Sequence, residues 1–222
     1  MDSDNYIIEL QEITYTLPSG RIIFDSLNFQ LTHGETAIIT GSVGKGKTSL
    51  IELLIGLKRA QSGNILLFGK KFSPKKEADK KSIRRKVGGV GGIFRPISYQ
   101  TVMENMQYPQ LFRKTRIGDP RKIIMDNLSN YSLLNKKNEL VAELSRGEKM
   151  LLMLARATVA NQPLLLIDEP LAGLDMETSI FIAKMLNKLS IAGHSQIILT
   201  SGQTDLNISN ATHYTLLNGQ LI

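Results

Sequence analysis

Two stretches carry residue types that can handle a phosphorylated ligand. The first is Gly41-Ser42-Val43-Gly44-Lys45-Gly46-Lys47-Thr48, which fits the spacing G-x-x-x-x-G-K-[ST]. Glycines so placed let the backbone curl until successive N–H groups converge on a phosphate at the positive end of a helix. Lys47 adds a point charge near the β- and γ-phosphates. Thr48 offers its hydroxyl to a magnesium ion completed by water, phosphate oxygens and a carboxylate. A glycine-rich turn that merely caps a helix is the competing reading, and both flanks weigh against it. Thr36-Ala37-Ile38-Ile39-Thr40 is short, apolar and β-branched, as a buried parallel strand should be, and Ser49 to Leu57 has apolar residues at helical spacing.

The second stretch is Leu164-Leu165-Leu166-Ile167 followed by Asp168-Glu169. Four aliphatic residues predict a buried strand, and two carboxylates at its carboxyl end stand where open α/β sheets bind ligands. Asp168 is placed to hold magnesium, directly or through water. Glu169 is placed to polarise a water for attack on a γ-phosphate. Alone, such an acidic pair often only caps the next turn; beside a phosphate-binding loop it gains a chemical role.

The elements that must position these groups can be read around them. Ile7 to Thr16 alternates as a strand, Leu17-Pro18-Ser19-Gly20 is a turn, Ile22 to Phe24 and Leu27 to Leu31 predict two further antiparallel strands, and Ile65 to Phe68 another. From about Phe94 the character becomes helical. Asp119-Pro120 is an N-cap followed by proline at the first helical position. Ser145-Arg146-Gly147-Glu148 has the capping-box form ahead of an apolar helix ending near Asn161-Gln162-Pro163. The pattern then returns to α/β: a helix over Glu177 to Leu189, a strand over Gln196 to Thr200, and Asn218-Gly219 as a type I′ hairpin turn.

With 222 residues and 42% hydrophobic content, the chain can bury a sizeable core. No apolar run approaches a bilayer-crossing length, and the polar opening Met1-Asp2-Ser3-Asp4-Asn5 does not read as a signal peptide. An intracellular, cytoplasmic address is therefore expected, and the lack of cysteine agrees while removing disulfides and thiolate metal sites. Basic residues dominate Lys70 to Lys86 and contribute to the net charge of +7; that stretch reads as a solvated connector, with attraction to anionic lipid as the sharper alternative.

In order, these motifs resemble those of the ATP-binding-cassette (ABC) ATPases over almost the whole chain, and the length is similar to that of small bacterial cassettes of the cell-division and lipoprotein-release type. Gly41 to Thr48 looks like Walker A, Leu144-Ser145-Arg146-Gly147-Glu148 like the signature motif, Leu164 to Glu169 like Walker B and Ala172-Gly173-Leu174-Asp175 like the D-loop. Thr101-Val102-Met103-Glu104-Asn105 matches the run that follows the Q-loop. The resemblance implies one domain over 1–222: an α/β P-loop NTPase core at 1–92 and 161–222, with a mixed sheet, flanking helices and an antiparallel β layer, and a helical insertion at about 93–160. It implies ATP and Mg2+ as ligands, with Lys47 and Glu169 catalytic, Thr48 and Asp168 on the metal, and Gly41 to Thr48 around the phosphates. Ser145, Gly147 and Asp175 would face the nucleotide of a second cassette in a head-to-tail homodimer or heterodimer. A separately encoded integral-membrane subunit is the expected partner, so the chain would sit on the inner face of the plasma membrane; no nucleic-acid partner is expected.

Five positions, in four motifs, depart from the family pattern. Gly92 stands where the Q-loop glutamine is expected, Ser201 where the switch histidine is expected, and Arg146 and Glu148 replace glycine and glutamine in the signature. Leu17 aligns with the aromatic that stacks on adenine, with Tyr15 two residues away as a substitute. Phosphate-holding groups are retained while those that sense and complete hydrolysis are altered, which suggests slow turnover. Restoring Gly92→Gln with Ser201→His is then expected to speed it.

Overall fold

The computed structural model describes residues 5–112, 118–202 and 206–222; residues 1–4, 113–117 and 203–205 lie outside the described residues. Among the described residues, ten strands form two sheets. β1 (Tyr6–Thr16), β2 (Ile22–Thr32), β4 (Ser62–Leu67) and β5 (Lys70–Lys71) make an antiparallel sheet in the order β2-β1-β4-β5. The second sheet joins β3 (Thr36–Thr40), β6 (Val87–Gly91), β7 (Leu164–Asp168), β8 (Ser195–Thr200), β9 (Ala211–Leu217) and β10 (Gln220–Leu221) in the order β10-β9-β3-β8-β7-β6. Its pairings are parallel except for the β9–β10 hairpin.

Unbroken aliphatic runs in the central strands follow from burial on both faces. Ala37, Ile39, Leu164, Leu166, Ile197 and Leu199 point into a core shared with the antiparallel sheet and helix α1 (Lys47–Leu54). Their neighbours Ile38, Leu165, Ile167 and Ile198 point the other way, into a core closed by α3 (Val102–Leu111), α4 (Pro120–Asn130), α5 (Arg146–Thr158) and α6 (Met176–Ile191).

Local chemistry sets the helix starts. Asp119 accepts from Arg121 N–H at 2.9 Å with Pro120 at the first helical position. Both Thr101–Glu104 and Ser145–Glu148 close reciprocal capping boxes. Asn218 and Gly219 both take positive φ (48° and 80°), as a type I′ turn requires.

Two expectations differ from the structure, and one strand was not expected at all. Ile22–Phe24 and Leu27–Leu31 belong to one strand, β2, in which Ser26 takes φ 52° and accepts the irregularity that had read as a break. The basic stretch is a connector only in part: Lys70–Lys71 pair with β4, and Glu77–Lys86 form helix α2, which buries a single residue, Ile83. Val87–Gly91 is a sheet-edge strand, β6. A Cβ on Gly88 would stand 2.2 Å from the Ala157 carbonyl oxygen, and one on Gly89 would enter the Phe94 ring, so the glycines allow α5 and Phe94 to close onto the strand.

Candidate nucleotide site

The sheet register aligns the carboxyl ends of four parallel strands. Thr40 pairs with Thr200, Asp168 with Leu199, and Gly91 with Asp168, so the residues that follow each strand emerge at one edge. Gly41, Gly92, Glu169 and Ser201 are brought together in this way from four parts of the chain.

At this edge the phosphate-binding loop leads into α1. Gly46, at φ 105°, is the residue before the helix, and a Cβ there would collide with Ile23. Gly44 takes φ 78° with open space around it. The buried Lys47 donates Nζ–H to the carbonyl oxygens of Gly41 at 2.5 Å and Ser42 at 3.3 Å, and lies 3.8 Å from Glu169 Oε1. Thr48 Oγ1 donates to Asp168 Oδ2 at 2.9 Å, although β8 lies between their strands. Burial raises the Asp168 carboxyl above the ordinary aspartate range, the neighbouring Glu169 charge adds to this, and the Thr48 hydrogen bond opposes it. Glu169 holds φ 53°, a left-handed conformation costly for a residue with a side chain, while its N–H donates to Leu199 O at 2.9 Å.

These groups line a cavity of about 520 Å³ that also includes Gly44, Gly46 and Val43 of the loop. Gly41, Ser42 and Lys45 complete the loop around it, Lys45 being exposed. The hydroxyl of Thr48 beside the Asp168 carboxylate is a pair of hard oxygen donors, which fits Mg2+ with phosphate and water supplying its other ligands.

The altered positions are physically distinct from one another. Ser201 lines the cavity and is exposed, with room around it. Gly92 lines it too, but at φ 49° and with a Cβ position only 2.4 Å from Asp168 Oδ2; a side chain here would press on the acidic residue. Leu17 lines the cavity, whereas Tyr15 does not. Strand alternation turns Tyr15 inward beside Ile13, leaving it 6% exposed against Phe24, so the expectation that it substitutes for the base-stacking aromatic is corrected. Arg21, Ser49 and Lys58 also line the cavity and were not singled out from the sequence, since an exposed arginine after a turn and a lysine after a helix carry no motif.

Ser145, Gly147 and Asp175 lie outside this cavity, on a second surface. Ser145 Oγ accepts from Glu148 N–H at 3.2 Å, and Glu148 Oε2 accepts from Ser145 N–H at 2.8 Å. Gly147 lets α5 approach α6, since a Cβ would meet Thr178 at 2.7 Å. Asp175 caps α6 by accepting from Thr178 N–H at 2.8 Å, which holds its carboxyl below the usual range. Arg146 lies over the D-loop-like turn: a Cβ on Gly173 would stand 2.5 Å from its Nη1. His194, just before β8, is bonded through Nδ1 to Gln162 O at 2.9 Å.

A family model described as "ABC transporter" matches residues 24–172, a span that contains the phosphate loop, the capping box of α5 and the acidic end of β7. The chain belongs to the ABC ATPase family. The cell division ATP-binding protein FtsE of Haemophilus influenzae is 31% identical over 78% of this chain and 80% of its own length. The methionine import ATP-binding protein MetN 1 of Shouchella clausii is 30% identical over 87% of this chain, which spans 57% of that relative. Among solved structures, the dimeric ATP-binding cassette MJ0796 bound to ADP and Pi superposes with a TM-score of 0.85 at 25% identity, covering 96% of each chain. The α/β cassette architecture expected from the motifs is thus the observed one. Among the described residues, no helix is long and apolar enough to cross a membrane.

Proposed function

We propose that this chain is the nucleotide-binding subunit of an ABC transporter-like complex, binding MgATP in the cavity at the sheet edge and hydrolysing it slowly. The observation that carries the reading is the convergence of Lys47, Thr48, Asp168 and Glu169 in one cavity. Lys47 exchanges its loop carbonyls for phosphate oxygens, Thr48 and Asp168 hold the metal, and Glu169 accepts a proton from the attacking water. When bound, the magnesium ion neutralises charge on the phosphates. Binding pairs two cassettes, as a homodimer or heterodimer, so that Ser145, Gly147 and Asp175 of each meet the nucleotide of the other.

The missing side chain at Gly92 and the serine at position 201 support slow turnover. They also favour a second reading from a different class, in which ATP-driven pairing regulates a membrane partner without transport. Measured substrate movement against ATP-dependent partner binding separates the two.

The partner is an integral-membrane subunit, holding this chain at the inner face of the plasma membrane. A groove of about 580 Å³ between α2, β6, α3 and α5 supports the docking position. Lys81, Arg84, Arg85 and Arg156 line it with Phe94 and Tyr108, and among the described residues no carboxylate does, so its occupant is a short amphipathic segment bearing acidic residues. Equilibrium binding of MgATP to the purified chain and to Lys47→Ala tests the central reading. Micromolar binding lost in the variant supports it, and equal binding by both overturns it.

A further inference from the structure

Phosphate and metal account for only one end of the sheet-edge cavity. With phosphates against Lys47 and metal between Thr48 and Asp168, part of the lining is left for the ribose and base of a bound nucleotide, and it includes Leu17, Arg21, Ile23, Val43 and Lys58. Among the described residues, no aromatic side chain is present in that lining. Tyr15 is buried, and the Lys58 ammonium lies 5.7 Å from its ring centroid.

Two cations therefore stand where a base must rest, and their circumstances differ. Lys58 is committed: its Nζ lies 2.6 Å from Glu52 Oε2, and that contact raises its pKa and keeps it protonated. Arg21 is exposed and has no carboxylate partner among the described residues. It follows the Leu17–Gly20 turn, which is closed by Leu17 N–H to Arg21 O and by Gly20 N–H to Leu17 O, both at 2.9 Å. Its Nη2 donates to Gly44 O of the phosphate loop at 3.2 Å. One N–H thus ties an exposed, planar guanidinium to the rim of the cavity.

Resting on the reading that the cavity binds a nucleoside triphosphate, we propose that Arg21 is the base-binding residue. Its guanidinium stacks on the base in place of an aromatic ring, and the Leu17 side chain packs beside it. Guanidinium planes stack on aromatic faces, which a lysine ammonium cannot reproduce. Because every base offers a π-face to a stacked guanidinium, the site is tolerant of the base, accepting ATP and GTP within about threefold of each other.

The test is competition against a fluorescent triphosphate, with Mg2+, by ATP, GTP and inorganic tripolyphosphate, using the wild-type chain, Arg21→Ala, Arg21→Lys and Lys47→Ala. The proposal expects both Arg21 variants to lose about tenfold in ATP and GTP affinity, within the range of single base-stacking contacts, while tripolyphosphate affinity is unchanged. Retained ATP affinity in Arg21→Lys, or an equal loss for tripolyphosphate, shows that Arg21 serves the phosphates through charge and overturns the proposal. So does a wild-type preference of tenfold or more for one base. Failure of the underlying reading has a different signature: Lys47→Ala then competes as the wild type does.

Discussion

Thr48 and Asp168 are 120 residues apart and share a 2.9 Å hydrogen bond from the threonine hydroxyl to Oδ2. That bond joins the first turn of α1 to the end of β7 and holds two hard oxygen donors side by side, the pair proposed above to take magnesium. Asp168 is held there at a cost, since burial disfavours its charged form.

Replacing that carboxylate separates its two roles. Asp168→Asn keeps the shape, removes the buried charge and so raises the melting temperature of the ligand-free chain. It also removes the response of ATP binding to magnesium. Calorimetric titration in Mg2+ and in EDTA checks this: the wild type loses at least about tenfold on chelation, a step of roughly 1.4 kcal/mol, and the variant changes little.

Gly92 and Ser201 make opposite predictions despite occupying similar places at the strand ends. Ser201→His has room in the cavity and raises phosphate release. Gly92→Gln forces a side chain at φ 49° against Asp168, a conformation costing roughly 1–2 kcal/mol before the clash is counted. The geometry thus opposes the expectation from sequence that restoring both speeds hydrolysis. The double variant is predicted to be slower than Ser201→His alone and to bind MgATP about tenfold more weakly.

The signature-like helix depends on its capping box. Ser145→Ala costs about 1 kcal/mol of stability, read by denaturant titration. Partial burial acts to raise the Glu148 carboxyl, but the Ser145 N–H and Lys136, 3.0 Å away, outweigh it and hold the group below the ordinary glutamate range. A depressed carboxyl stabilises the fold above its unfolded pKa, and that contribution disappears as pH falls through the lower folded value. The melting temperatures of wild type and Glu148→Gln therefore differ at neutral pH and converge in acid below the normal glutamate range.

How far the sequence reveals this depends on the kind of signal. Phosphate loop, capping boxes, hairpin turn and central strands were legible because each is a local pattern with one dominant physical cause. Helix α2 was not, because it buries only Ile83 and has no apolar stripe to show. Strand β6 was hidden by glycines whose purpose is close approach to Ala157 and Phe94, contacts visible only in three dimensions. Within the site, Lys47, Thr48, Asp168 and Glu169 were readable from motifs. Tyr15 and Arg21 were not, since a shift of one position along β1 decides inward or outward, and Arg21 reaches the loop only after the turn has folded.

Slow hydrolysis dependent on Glu169 is the central claim, and steady-state phosphate release from MgATP by the wild type and Glu169→Gln tests it most directly, with the membrane partner present. The wild type is predicted to turn over below about 1 s⁻¹, against a median near 10 s⁻¹ for enzymes generally, and the variant to be slower by roughly 10²–10⁴-fold while still binding ATP. Rapid hydrolysis that survives Glu169→Gln would contradict both the rate and the assigned role of Glu169.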